Sequence, residues 1–141
     1  MRLRFPVAVT LAAVLAAGCG GIVDPSQNQI ETFTGTIAPG GQSMQGPHGF
    51  SASKTGEISV KVTQITPSSS NTFVGVLWTG RDGNGTCAGS SRSIFQQNNF
   101  AQVGLPAISN QILAGSYCLT LYDVGSFTTT VSYTVTVSHP Q

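Results

Sequence analysis

From residue 30 onward, apolar and polar side chains exchange places at every second position. Phe33, Gly35 and Ile37 alternate with Thr32, Thr34 and Thr36. Ile58, Val60 and Val62 alternate with Ser59, Lys61 and Thr63. Tyr117, Leu119 and Leu121 alternate with Cys118, Thr120 and Tyr122, and Val131, Tyr133, Val135 and Val137 with Ser132, Thr134, Thr136 and Ser138. A period of two is the signature of half-buried strands. Phe73 to Trp78 is a nearly continuous apolar run, as expected for a strand at a sandwich centre. Pro39-Gly40-Gly41, Pro67 to Asn71 and Arg81-Asp82-Gly83-Asn84-Gly85 supply turn chemistry between these runs. Ile94-Phe95 reads as a short strand followed by a loop, and Ile108 to Leu113 as one helical turn at most. His48 falls in a Gly-Pro-His-Gly turn and His139 in a C-terminal tail, so both histidines are expected to be exposed. Short strands with frequent Gly and Pro turns predict an all-β, antiparallel β-sandwich.

The start of the chain follows another pattern. Arg2 and Arg4 precede an apolar run from Phe5 to Ala17, and Gly18 and Cys19 follow. A basic start, an apolar middle and a small-residue end are the parts of a secretory signal. The run falls short of the roughly 20 apolar residues that a spanning helix needs. Leu15-Ala16-Ala17-Gly18-Cys19 resembles the lipobox of bacterial lipoproteins, with Ala16 where that family usually has Leu. The resemblance implies a signal peptide at 1–18, removed before Cys19, and acyl chains on the Cys19 thiol and the new amine. Such an anchor exceeds the two-signal threshold for stable membrane attachment. The absence of Asp after Cys19 leans toward the outer membrane, with the domain facing the periplasm or the cell surface. Residues 19–29 read as the lipidated Cys and a flexible tether, reaching roughly 30 Å when extended, and 30–141 as the sandwich.

Charge then narrows the function. The whole chain carries six basic and five acidic residues, and removal of Arg2 and Arg4 leaves four against five. A nucleic-acid binder would need a basic surface, which this composition excludes. Charged residues make up 8% of the chain, against about 25% in an average domain, while Ser and Thr number 32. Uncharged strands of this kind risk pairing at sheet edges, and Lys61 reads as one of few residues that would discourage it. With Cys19 lipidated, Cys87 and Cys118 remain as an even pair in an exported chain and read as a disulfide.

Order along the chain adds a second resemblance. A strand like Phe33-Thr34-Gly35-Thr36-Ile37 with a Pro-Gly turn comes first, then Gly56-Glu57-Ile58-Ser59-Val60-Lys61-Val62, then the apolar Val74 to Trp78. Leu113-Ala114-Gly115-Ser116-Tyr117-Cys118-Leu119-Thr120-Leu121 and Tyr133-Thr134-Val135-Thr136-Val137 close the set. Over about residues 31 to 138 this resembles the bacterial pre-peptidase C-terminal domain. The resemblance implies a jelly-roll-like β-sandwich linked with secretion, adherence to polysaccharide or other substrates and, in some members, calcium. The Cys87–Cys118 pair is not a general feature of that family.

Chemistry is sparsely staffed. A hydrolase built on His48 or His139 would need an orienting acid such as Asp82 or Asp123 and a nucleophile in reach, and no Gly-x-Ser-x-Gly is present. Glu31, Glu57, Asp82 and Asp123 lie apart along the sequence and do not form an evident glycosidase pair. The chain is therefore expected not to be an enzyme. Asp82, Asn84 and Asp123, with the Thr86 hydroxyl, are the candidate calcium ligands, against the alternative of an ordinary hairpin turn. Trp78 and Tyr122 are the candidate sugar-stacking rings, with Phe95, Phe100 and Phe127 behind them; Trp78 is the more core-like and Tyr122 the better exposed. The expected function is a lipid-anchored, non-catalytic envelope module that contacts envelope protein or polysaccharide. The alternative is a structural or spacer lipoprotein without a specific ligand. Cys19→Ser is expected to move the protein from the membrane to the soluble fraction, which cell fractionation checks.

Overall fold

A computed structural model describes residues 25–68, 72–88 and 92–141. Cys19 and the segment 1–18 lie outside the described residues. The chain forms eight strands, β1 (Gln29–Ile37), β2 (His48–Ala52), β3 (Gly56–Thr66), β4 (Val74–Gly80), β5 (Ile94–Ala101), β6 (Pro106–Ile112), β7 (Gly115–Asp123) and β8 (Val131–His139). A single 3-10 turn, Pro25–Gln27, precedes them. Two four-stranded sheets result, ordered β1-β8-β3-β6 and β2-β7-β4-β5, and every strand pair is antiparallel. This is the jelly-roll order, in which each of the first four strands pairs with one from the second half of the chain.

Alternation decides which side chains meet between the sheets. Val60, Val62, Val135 and Val137 from the first sheet and Val74, Val76, Leu119 and Leu121 from the second are fully buried. Each such side chain stabilises the fold by about 1.5–3 kcal/mol relative to exposure. Their alternating partners, Thr32, Thr34, Ser132 and Lys61, are exposed on the outer face of the first sheet. Lys61 lies in β3, an interior strand, so it does not guard an edge. The edge strand β5 is instead interrupted by two register shifts against β4. Such bulges twist an edge away from pairing with another chain.

Two regions differ from the sequence reading. Residues 94–101 form a full strand, longer than Ile94-Phe95 alone, and 106–112 form β6 where one helical turn was the best local reading. Pairing of Val60 with Ile108 and of Gly56 with Ile112 overrides local preference there. The histidines also move: His48 opens β2 and is half-buried, while His139 ends β8 and is fully buried.

The disulfide joins Cys87 to Cys118 across a Cα separation of 5.7 Å. Cys118 points to the outer face of the second sheet, since its neighbours Tyr117 and Leu119 point into the core. The chain after β4 is therefore pinned back over that sheet, with Arg81 and Cys87 beside Gly49 of β2. The bond closes a sequence separation of 31 residues, for which chain entropy gives a stabilisation of about 3–4 kcal/mol. Reduction, or paired Cys87→Ala and Cys118→Ala, is expected to lower unfolding stability by about that amount, measured by denaturant melts with and without reductant.

Candidate functional site

The register separates the candidate calcium ligands. Asp123 lies opposite Val74, the first residue of β4, whereas Asp82 follows Gly80, its last. Six residues of strand, roughly 20 Å, stand between them. Each carboxylate is also occupied by its own turn. Asp82 Oδ1 accepts from the Asn84 and Thr86 amides at 3.0 and 2.7 Å, and its Oδ2 from the Thr86 hydroxyl at 2.7 Å. Asp123 Oδ1 accepts from the amides of Gly125, Ser126 and Phe127, and its Oδ2 from that of Gly40 at 2.7 Å. Asp82 and Asn84 thus share one turn, and Asp123 is not brought to them. Among the described residues no group of three or more His, Cys, Asp or Glu side chains is placed to hold a metal. Asp123 instead ties the β1–β2 turn to the β7–β8 turn. Partial burial pushes its carboxyl up, but the four backbone amides outweigh this and leave it below the usual 3.8.

The two candidate rings part company. Trp78 is 3% exposed and packs on Phe95 and Tyr117, so it belongs to the core. Phe127 is buried as well. Tyr122 lies on the outer face of the second sheet, half-buried, with its ring laid across Gly75 of β4. A Cβ at residue 75 would come within 2.2 Å of the ring, so only glycine lets the ring lie down. Two amides of β5 hold the phenol: Gln97 Nε2 donates to its hydroxyl at 2.6 Å, and the hydroxyl donates to Asn99 Oδ1 in a short bond. Gln97 also donates to Asn99 Oδ1 at 2.9 Å. One face of a fixed ring rests on backbone and the other is turned outward, flanked by amides. Alternation from the buried Leu121 places Tyr122 outside; the seat at Gly75 and the two amides depend on register, which the sequence does not display.

A second cluster lies where the edge strands β1 and β2 face each other. The Phe33 ring stacks on His48 at 4.7 Å between centroids. His48 Nε2 and Ser43 Oγ each lie 2.6 Å from the Tyr133 hydroxyl. Gly35 makes room for that hydroxyl, since a Cβ there would lie 2.5 Å from it. Further along the same seam, buried His139 meets Glu31 at 2.8 Å and packs beside Phe50. Burial pushes the His48 imidazole below its usual value, and the Tyr133 hydroxyl is hydrogen-bonded to both its Nε2 and the Ser43 hydroxyl. Burial also raises the Tyr133 hydroxyl, offset in part by the Ser43 bond. Ser43 and Tyr133 are both buried, so this chain of hydroxyls closes the seam and leaves its serine covered. Nothing in the sequence pattern pairs residues 43, 48 and 133; topology does.

No family model matches the chain, and no curated protein matches it. Among solved structures, the crystal structure of the Yersinia pseudotuberculosis-derived mitogen (YPM) is similar, with a TM-score of 0.52 at 15% identity. The match covers 79% of this chain and 86% of that one. At that identity the likeness is one of fold.

The His48 environment sets a pH dependence. A lowered folded value means that the unfolded chain binds the proton first as pH falls. Stability is expected to be intact above about pH 6.5, the ordinary histidine value, and to decline below it. A second decline is expected below the ordinary aspartate range, as Asp123 gains its proton. Thermal melts across pH 3–8 check both, and His48→Phe is expected to remove the first decline.

Proposed function

We propose that the protein is a lipid-anchored module of the bacterial cell envelope that binds neutral polysaccharide. The Tyr122 platform is the observation that supports the reading. A sugar ring offers an apolar face of C–H groups and a rim of hydroxyls, so it is matched by a flat aromatic ring with uncharged donors and acceptors beside it. Tyr122, seated on Gly75 and bordered by Gln97 and Asn99, has that composition. Residues 93–122 contain no charged side chain, so a neutral polymer meets no charge along β5 or along β7 before Asp123. The resemblance to pre-peptidase C-terminal domains points the same way, toward adherence. On this reading Cys19 supplies the anchor, residues 20–28 the spacing, and the sandwich the binding face.

Tyr122→Ala is expected to weaken binding to soluble neutral polysaccharides about tenfold, a loss of roughly 1.4 kcal/mol, read by affinity gel electrophoresis. Tyr122→Phe keeps the stacking face and is expected to retain most binding. Gly75→Ala displaces the ring and is expected to lose binding while the fold remains. Equal migration of the native protein with and without polysaccharide overturns the reading.

A further inference from the structure

Large apolar side chains are exposed at both ends of the sandwich, but one cluster has a distinctive position. Ile94, Phe95 and Leu113 are 63%, 50% and 64% exposed. Phe95 and Leu113 come together through Tyr117, whose hydroxyl donates to Leu113 O at 2.8 Å and whose ring lies 5.6 Å from that of Phe95, and Ile94 precedes Phe95 at the start of β5. The N-terminal segment leaves the domain beside this cluster. Asn28 Nδ2 donates to the Glu57 carbonyl and to Ser138 Oγ, fixing the exit point at the start of β3. Glu57 pairs with Gln111, two residues before Leu113.

The geometry points to a membrane-facing surface: the Ile94, Phe95 and Leu113 corner rests on the phospholipid bilayer that holds the acylated Cys19. The inference rests on the lipid anchor proposed above and adds the orientation of the domain. Nine residue steps separate Cys19 from the fixed Asn28, a reach of at most about 32 Å. The strands themselves are about as long, near 30 Å for nine residues. The Asn28 end is thus the end nearest the anchor, and the β5–β6 turn, with exposed Val103 and Leu105, the farthest from it along the strands. Charge at the near end is balanced, with Lys54, Arg81 and Arg92 against Glu31, Glu57 and Asp82. Contact is therefore carried by apolar burial in the interface and does not require anionic lipid.

The single Trp78 makes this readable, because its ring lies 5.0 Å from that of Phe95. The chain from Cys19 to Gln141 contains every strand, the core and the disulfide. With Cys87 and Cys118 bonded, Cys19 is its one free thiol and can be coupled to a maleimide phospholipid in phosphatidylcholine vesicles. Brominated phosphatidylcholine is expected to lower Trp78 emission relative to the ordinary lipid, and high salt to leave the fall unchanged. Ile94→Ser with Leu113→Ser is expected to abolish the fall, and Leu105→Ser at the opposite end to preserve it. Equal emission on both lipids, or equal quenching in the Ile94→Ser, Leu113→Ser variant, overturns the proposal. A dimer in solution that the same double variant dissolves, with no quenching on vesicles, assigns the corner to a second copy and also overturns it. Because the coupling is chemical, failure of native acylation is read separately, by whether the Cys19→Ser protein still sediments with cell membranes.

Discussion

Two sheets can exclude water from the space between them only if the flanks are closed as well. Each sheet here has two edge strands, so the sandwich has two open sides, and much of the polar detail follows from closing them. On the β1–β2 side, rings and hydrogen bonds do the closing, through Phe33, His48, Tyr133, Ser43 and the Glu31–His139 pair. On the β5–β6 side, amides do it: Asn98 donates to the Ala107 carbonyl at 2.8 Å, and Asn110 to Gln96 Oε1 at 3.3 Å. Side chains that look like candidates for chemistry or for low complexity in the sequence are, in the fold, part of the walls.

That division explains what was legible. The interior strands announce themselves, because both neighbours are protein and the inward face must be apolar: β8 alternates from end to end, and β3 does so from Gly56 to Val62. The edges do not. β2 begins in a Gly-Pro-His-Gly segment with turn composition, and half of β5 is Gln and Asn. Its inward positions touch the facing edge strand instead of the centre of the core, and its bulges break the period of two. The disulfide was readable from an even cysteine pair in a chain read as exported, whereas the separation of Asp123 from Asp82 was not, because sequence does not reveal which end of a strand a turn occupies. Asp82 and Asp123 both sit in turns next to β4, but at its two opposite ends.

The surface left after closing is uneven. The outer face of the first sheet is a wet field of hydroxyls. The outer face of the second is divided, with the disulfide-pinned arm over Cys118 and the Tyr122 ring over Gly75. Glycine at 75 exchanges a side chain in the sheet for a seat beneath an aromatic ring, an arrangement that contributes little to the core. Such a seat orders the ring before any ligand arrives, which lowers the entropic cost of stacking on it.

The place of β8 has a consequence for the first sheet. It is the last of the eight described strands in sequence, yet it lies between β1, the first, and β3. Without it, β1 has no partner and the first sheet is split in two. The first sheet therefore closes only once β8 is in place, and its contacts join distant parts of the described chain. Peeling β8 away would therefore strip β1 of its partner and bare one edge of β3 together.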